Sequence, residues 1–134
     1  MKKMSDGYNA NEAYLGLAIH VDGLCKAIHE ANKKWWVSLE TGEPIQRNVG
    51  ELLMLIVSEC AEAMEGHRKG LNDDKLPHRP MIEVELADAL IRICDAAEGL
   101  GLDLPGAVAE KMAFNAVRED HKREHRLGVG GKKY

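Results

Sequence analysis

The chain has 134 residues, of which 45% are hydrophobic and 30% charged, and a formal net charge of −4. This is the composition of a globular chain rather than a disordered one, and the length suits a single domain with one core. The acidic balance excludes general nucleic-acid binding, which needs a basic face, and no apolar run approaches the ~20 residues of a membrane span.

The opening stretch "MKKMSDGYNANEAY" has two lysines with no apolar region behind them, unlike a signal peptide. Cys25, Cys60 and Cys94 are odd in number, far apart and never in a C-x-x-C pair, so they are expected to be reduced core residues of a cytoplasmic protein. A first helix is predicted from Asn11 to Lys34, because Leu15, Ala18, Ile19, Asp22, Cys25, Ile28 and His29 recur at helical spacing. Gly42 and Pro44 interrupt the pattern that follows.

Asn48 is the expected N-cap of a second helix, with Glu51 three residues on as its capping-box partner. This helix should run to Lys69 and end at Gly70. "LNDDKLPHRP" reads as a polar loop, and a third helix should begin near Pro80 and end near Gly99. A fourth is predicted from Pro105 to Arg123, before a glycine-rich tail over 127–134 that is expected to be mobile. No strand pattern emerges, so the expected class is all-α, a bundle of about four helices.

Two acidic pairs stand out. Glu59 and Glu62 lie three apart on the second helix, on the stripe that carries Leu52 and Leu55. Glu85 and Asp88 repeat the spacing on the third helix, beside Ile82, Leu86, Ala89, Leu90 and Ile93. If these helices pack side by side, four carboxylates converge, and each would raise the pKa of the others. A divalent cation relieves that repulsion, and all-oxygen ligands suit Mg²⁺ or Mn²⁺. The alternative is two polar helix edges. A di-iron bundle would want Glu-x-x-His, a spacing this chain lacks.

The order E-x-x-E then E-x-x-D, with "LLMLIVSECAEAMEG", "VELADALIRICDAAEGLGLDL" and "KMAFNAVRE" around it, resembles the MazG-like all-α nucleoside triphosphate pyrophosphohydrolases. The resemblance covers about residues 48–118. It implies Glu59, Glu62, Glu85 and Asp88 as metal ligands and catalytic acids, with Mg²⁺ as the cofactor and Mn²⁺ able to replace it. It implies cleavage of an NTP or dNTP at the α–β phosphate bond, giving the monophosphate and pyrophosphate. It also implies a homodimer or homotetramer. Lys111, Asn115 and Arg118, at i, i+4 and i+7, match the family's Lys-x-x-x-Asn-x-x-Arg stretch and would hold phosphate and sugar.

Many family members carry a further Glu just before the first acidic pair, where this chain has Ser58. That leaves the general base to one of the four acids or to metal-activated water. Asp95 could orient Lys111 or Asn115, or could bridge to Arg92. Trp35 and Trp36 could stack on a base, a contact worth ~1–3 kcal/mol, or could cap the core. Two adjacent indoles suit a large base and favour a purine deoxynucleotide such as dGTP. The alternatives are a pyrimidine, dUTP or dCTP, and a non-catalytic nucleotide-binding helical module. His20, Asp22 and His29 have no assigned chemistry, and His121 and His125 are read as solvated surface.

Overall fold

The computed structural model describes residues 12–134, with side-chain surroundings from Tyr14 onward. The described residues are all-helical. They form α1 (Glu12–Asn32), α2 (Val49–Lys69), α3 (Met81–Gly99), α4 (Leu104–Val117) and α5 (Arg123–Leu127). Short 3-10 turns lie at Lys33–Trp36 and Glu119–His121. Two isolated bridges, Val37 with Pro44 and Asn72 with Pro80, are the β-type pairing seen among these residues.

The chain divides into two compact units. One spans Leu24–Leu102, and the other joins the described residues up to Gly23 to Asp103–Tyr134.

In the Leu24–Leu102 unit, α2 and α3 pack against each other. Their pairing is antiparallel, since Gly66 lies against Met81 while Glu59 reaches Arg92. The ends of α2 are set by local chemistry. Asn48 is extended, and its side chain accepts from the Glu51 N–H at 3.0 Å, satisfying one of the orphan donors of the first turn. Gly70 closes the helix with φ 62°, a left-handed conformation that glycine adopts without steric cost. Both ends fall where the sequence placed them.

The loop from α2 to α3 is well organised. Buried Asp73 accepts from the Lys75 and Leu76 N–H groups, at 3.0 and 2.7 Å, an Asx turn that folds the segment on itself. Pro80 serves as the N-cap of α3 and not as its first helical residue. α1 stops at Asn32, two residues short of expectation, because the chain tightens into the 3-10 turn that carries both tryptophans.

Apart from Leu52, the buried apolar residues of this unit are small: Cys25, Ala63, Ala89, Cys94, Ala96 and Ala97. Small residues let α2 and α3 approach closely. The larger apolar side chains lie outside. Leu86, Leu90 and Ile93 on α3, and Leu53, Val57 and Met64 on α2, are all more than a third exposed. Cys60 is also exposed, so the expectation of three core cysteines is corrected to two, Cys25 and Cys94.

In the other unit, Asp103 caps α4 by accepting from the Gly106 N–H at 3.0 Å. α4 ends at Val117, not Arg123, because Arg118 turns to an extended conformation with ψ 128°. The glycine-rich tail folds back. Arg126 donates to the carbonyls of Lys132 and Lys133, and the Lys132 ammonium pairs with Asp120 at 2.9 Å.

Candidate functional site

Glu59 on α2 and Glu85 and Asp88 on α3 each place a carboxylate oxygen within 4.8 Å of the others. Glu59 and Glu85 are buried, and Asp88 is more open. The antiparallel pairing sets this convergence: two turns at the middle of α2 face the first two turns of α3. Glu62, exposed to solvent, neighbours Glu85 from one turn further along α2 and adds its negative charge to the group. All four acids singled out from the sequence line one cavity of about 770 Å³.

Burial is the main cause that pushes the Glu85 carboxyl up, to about 7, and the contacts with Glu59 and Glu62 add to it. The charge of Glu59 is met by Arg92, whose Nε donates to Glu59 Oε1 at 2.5 Å. The same cavity wall includes Asp73, Asp74 and Lys75 from the loop. The donor set is all oxygen and comes from two rigid helices, which fits a hard divalent cation such as Mg²⁺ or Mn²⁺.

A second cavity, of about 420 Å³, adjoins the first, since Asp88 and Arg92 line both. Its walls are Asn32, Trp35, Arg47 and Asp95, and its apolar floor is Leu52, Leu55 and Ile91. Trp35 is 57% exposed and the Lys34 ammonium lies 5.4 Å from its ring, so it does not cap the core. Trp36 is half-buried and committed elsewhere. Its indole N–H is shared between the two Asp95 oxygens, at 3.0 and 3.1 Å.

Buried Asp95 is also bonded, through the same Oδ1, to His29 Nδ1 at 2.8 Å. The sequence reading offered it Lys111, Asn115 or Arg92 as partners. Instead Arg92 belongs to Glu59, and Asp95 joins α1 and the tryptophan turn to α3.

Lys111 and Asn115 lie on α4 and Arg118 just past its end, in the other unit. The Lys111 ammonium and the Arg118 guanidinium both lie over Phe114, at 4.9 and 5.4 Å from the ring centre. Arg118 also grips Asp120 through two hydrogen bonds, which holds the Asp120 carboxyl well below the usual carboxylate range. Asn115 Oδ1 is buried without a hydrogen-bond partner among the described residues. Ser58, which stands where the resembling family often has Glu, bonds back to the Leu55 carbonyl at 2.7 Å.

Sequence reasoning missed Arg92 as partner of Glu59, Asp73 in the acidic wall, and His29 and Arg47 around the tryptophans. Arg92 had a signal, since it lies one turn after Asp88 on the same face. Arg47 and His29 had none, because a loop residue and a helix residue far apart in sequence meet α3 only through tertiary folding. Comparisons of the chain with protein-family models, with curated proteins and with solved structures find no match.

Proposed function

We propose that this protein is a metal-dependent nucleotide pyrophosphohydrolase that splits an NTP or dNTP between the α and β phosphates, releasing the monophosphate and pyrophosphate. The observation that carries the reading is the convergence of Glu59, Glu85 and Asp88 in a cavity that shares Asp88 and Arg92 as walls with a second one, which Trp35 also lines. Buried carboxylates repel one another, and a fold that gathers them favours a cation as their partner. The motif resemblance to the MazG-like family supports the same reading.

Glu59, Glu85 and Asp88 would hold the cation, and Glu62 would steady Glu85 from the solvent side. The cation, when bound, supplies neutralisation of phosphate charge and polarisation of the attacking water. The protein's own part is position: two rigid helices fix the acids, and phosphoryl chemistry asks mainly for positioning and electrostatics. Arg92 sits on the shared wall, where its guanidinium can meet phosphate oxygens. The second cavity would take the nucleoside, with Trp35 as an aromatic wall. The exposed apolar stripes on α2 and α3 favour self-association, as the resemblance implies.

The test is release of monophosphate and pyrophosphate from eight NTPs and dNTPs with Mg²⁺, Mn²⁺ or EDTA. Release from one or a few substrates, lost in EDTA, is the expected result. No release from a folded protein would overturn the enzymatic reading and leave a binding module.

A further inference from the structure

We propose that Asp95 is a positioning residue: it holds the Trp36 indole, and through it the turn that presents Trp35 to the second cavity, and so sets the affinity for the nucleoside part of the ligand without meeting it. This deepens the nucleotide reading above and rests on it.

The Lys33–Trp36 turn has little of its own to keep it in place. It is a single 3-10 turn, a short element with poor hydrogen-bond geometry. Its N-cap, Asn32, supplies no side-chain cap, and none of its residues is fully buried. Trp35 lines the cavity and is more exposed than buried. Its placement is therefore inherited from the neighbour that is tied down, Trp36.

Several groups tie Trp36. Its N–H reaches both oxygens of buried Asp95, at 3.0 and 3.1 Å, a charge-assisted bond. Its ring lies directly against Gly99, and the His29 ring meets it edge-on with centroids 5.5 Å apart. The Arg47 guanidinium lies 5.6 Å from the same ring and donates to the Trp35 carbonyl at 3.4 Å. His29 Nδ1 bonds Asp95 Oδ1 at 2.8 Å, and since a carboxylate only accepts, Nδ1 carries the proton. Both Asp95 oxygens are thus engaged by the protein itself. Trp36 and His29 do not line the cavity, so these bonds act on a ligand only through the turn.

Asp95 follows Asp88 on α3 by about two helical turns. One rigid helix therefore carries an acid of the cation site and the anchor of the aromatic wall. A ring already held in place costs no ordering when a ligand packs on it, whereas a freed ring does, a difference of about three- to tenfold in affinity.

The test compares Asp95→Leu, Trp36→Phe, their double variant and Asp95→Asn. KM and kcat are measured on whichever of the eight NTPs and dNTPs is turned over best, and Mg²⁺ affinity by calorimetry. The indole ¹H–¹⁵N NOE of Trp35 is read in ligand-free protein. In Asp95→Leu, KM should rise about three- to tenfold while kcat and Mg²⁺ affinity stay within about twofold, the mark of lost uniform binding. The Trp35 NOE should fall. Trp36→Phe keeps a ring against Gly99 but loses the same bond, so it should raise KM equally, and the double variant should add nothing. Asp95→Asn, whose amide oxygen still accepts from the indole, should stay near the parent.

An unchanged KM in folded Asp95→Leu and Trp36→Phe would overturn the proposal. So would a rise in Asp95→Leu alone, which would mean that Asp95 meets the ligand, or a matching loss of kcat and Mg²⁺ affinity, which would mean general support of the fold. Each of these leaves the pyrophosphohydrolase reading intact, whereas absence of turnover with every nucleotide would overturn both. Should Asp95→Leu fail to fold, Trp36→Phe against Asp95→Asn decides alone.

Discussion

Glu85 holds the clearest conflict between stability and function. Its carboxyl titrates near 7 in the fold against an ordinary 4.5. Between those values the unfolded chain gives up its proton and the folded chain keeps it, so raising the pH favours unfolding. The contribution is fully present below pH 4.5 and lost above pH 7. Metal-free protein in EDTA should therefore show a thermal midpoint that falls from pH 5 to pH 8, and Mg²⁺ should recover it at the alkaline end. Glu85→Gln removes a charge that the site resists. It should flatten that pH profile, raise the midpoint at pH 8 without metal, and abolish pyrophosphate release. A variant as active as the parent would remove Glu85 from the chemistry. Arg92 is the internal counter-charge of Glu59. Arg92→Met should lower metal-free stability by about 1 kcal/mol, since the pair is partly exposed, and should enlarge the stabilisation by Mg²⁺. Thermal shift with and without the ion reads both effects.

Elements place these residues through their ends and their close approaches. Gly99 ends α3 directly against the Trp36 ring, and a methyl added there would overlap the indole. Alanine is the better helix former by about 1 kcal/mol, but a rigid ring cannot yield as a flexible side chain does. Gly99→Ala should thus destabilise, by about 1–3 kcal/mol in urea unfolding, and should disturb the Trp36–Asp95 bond, visible as a shift in tryptophan emission. At the start of α2, Asn48→Ala should cost about 1 kcal/mol through the lost cap. Unchanged stability in Gly99→Ala would mean that Trp36 does not need its present position.

Over the whole molecule the arrangement of polarity is unusual for a lone chain. In the α2–α3 pair Glu59, Glu85 and Asp95 are buried, and Leu86, Leu90, Val57 and Met64 are outside. Single exposed leucines are ordinary, but stripes on adjacent helices are not. The protein should sediment as a dimer or larger species at micromolar concentration, and Leu90→Glu should shift it toward monomer. A parent chain that stays monomeric throughout the accessible range would refute this. Among the described residues no helix is long and apolar enough to cross a membrane, so these stripes are not spanning segments.

The sequence by itself determined what depends on neighbours along the chain. Helical period, the Asn48 cap, the left-handed Gly70 and the three-residue spacing of the acids are local, and each was legible. The pairing of α2 with α3 entered the sequence reading only as a condition, and packing of the two helices met it. Only the tertiary structure decided which side chain answers each charge. Spacing offered Arg92 to Asp95, three residues on, and packing of α3 against α2 gave it to Glu59. His29 and Trp36 reach Asp95 across 66 and 59 residues of sequence, a separation at which no periodicity carries information. The exposure of Leu86, Leu90 and Ile93 on α3, beside buried Glu85 and Asp95, follows the same rule. A helix's apolar stripe says that it wants cover, and the position of its partner decides which face receives it.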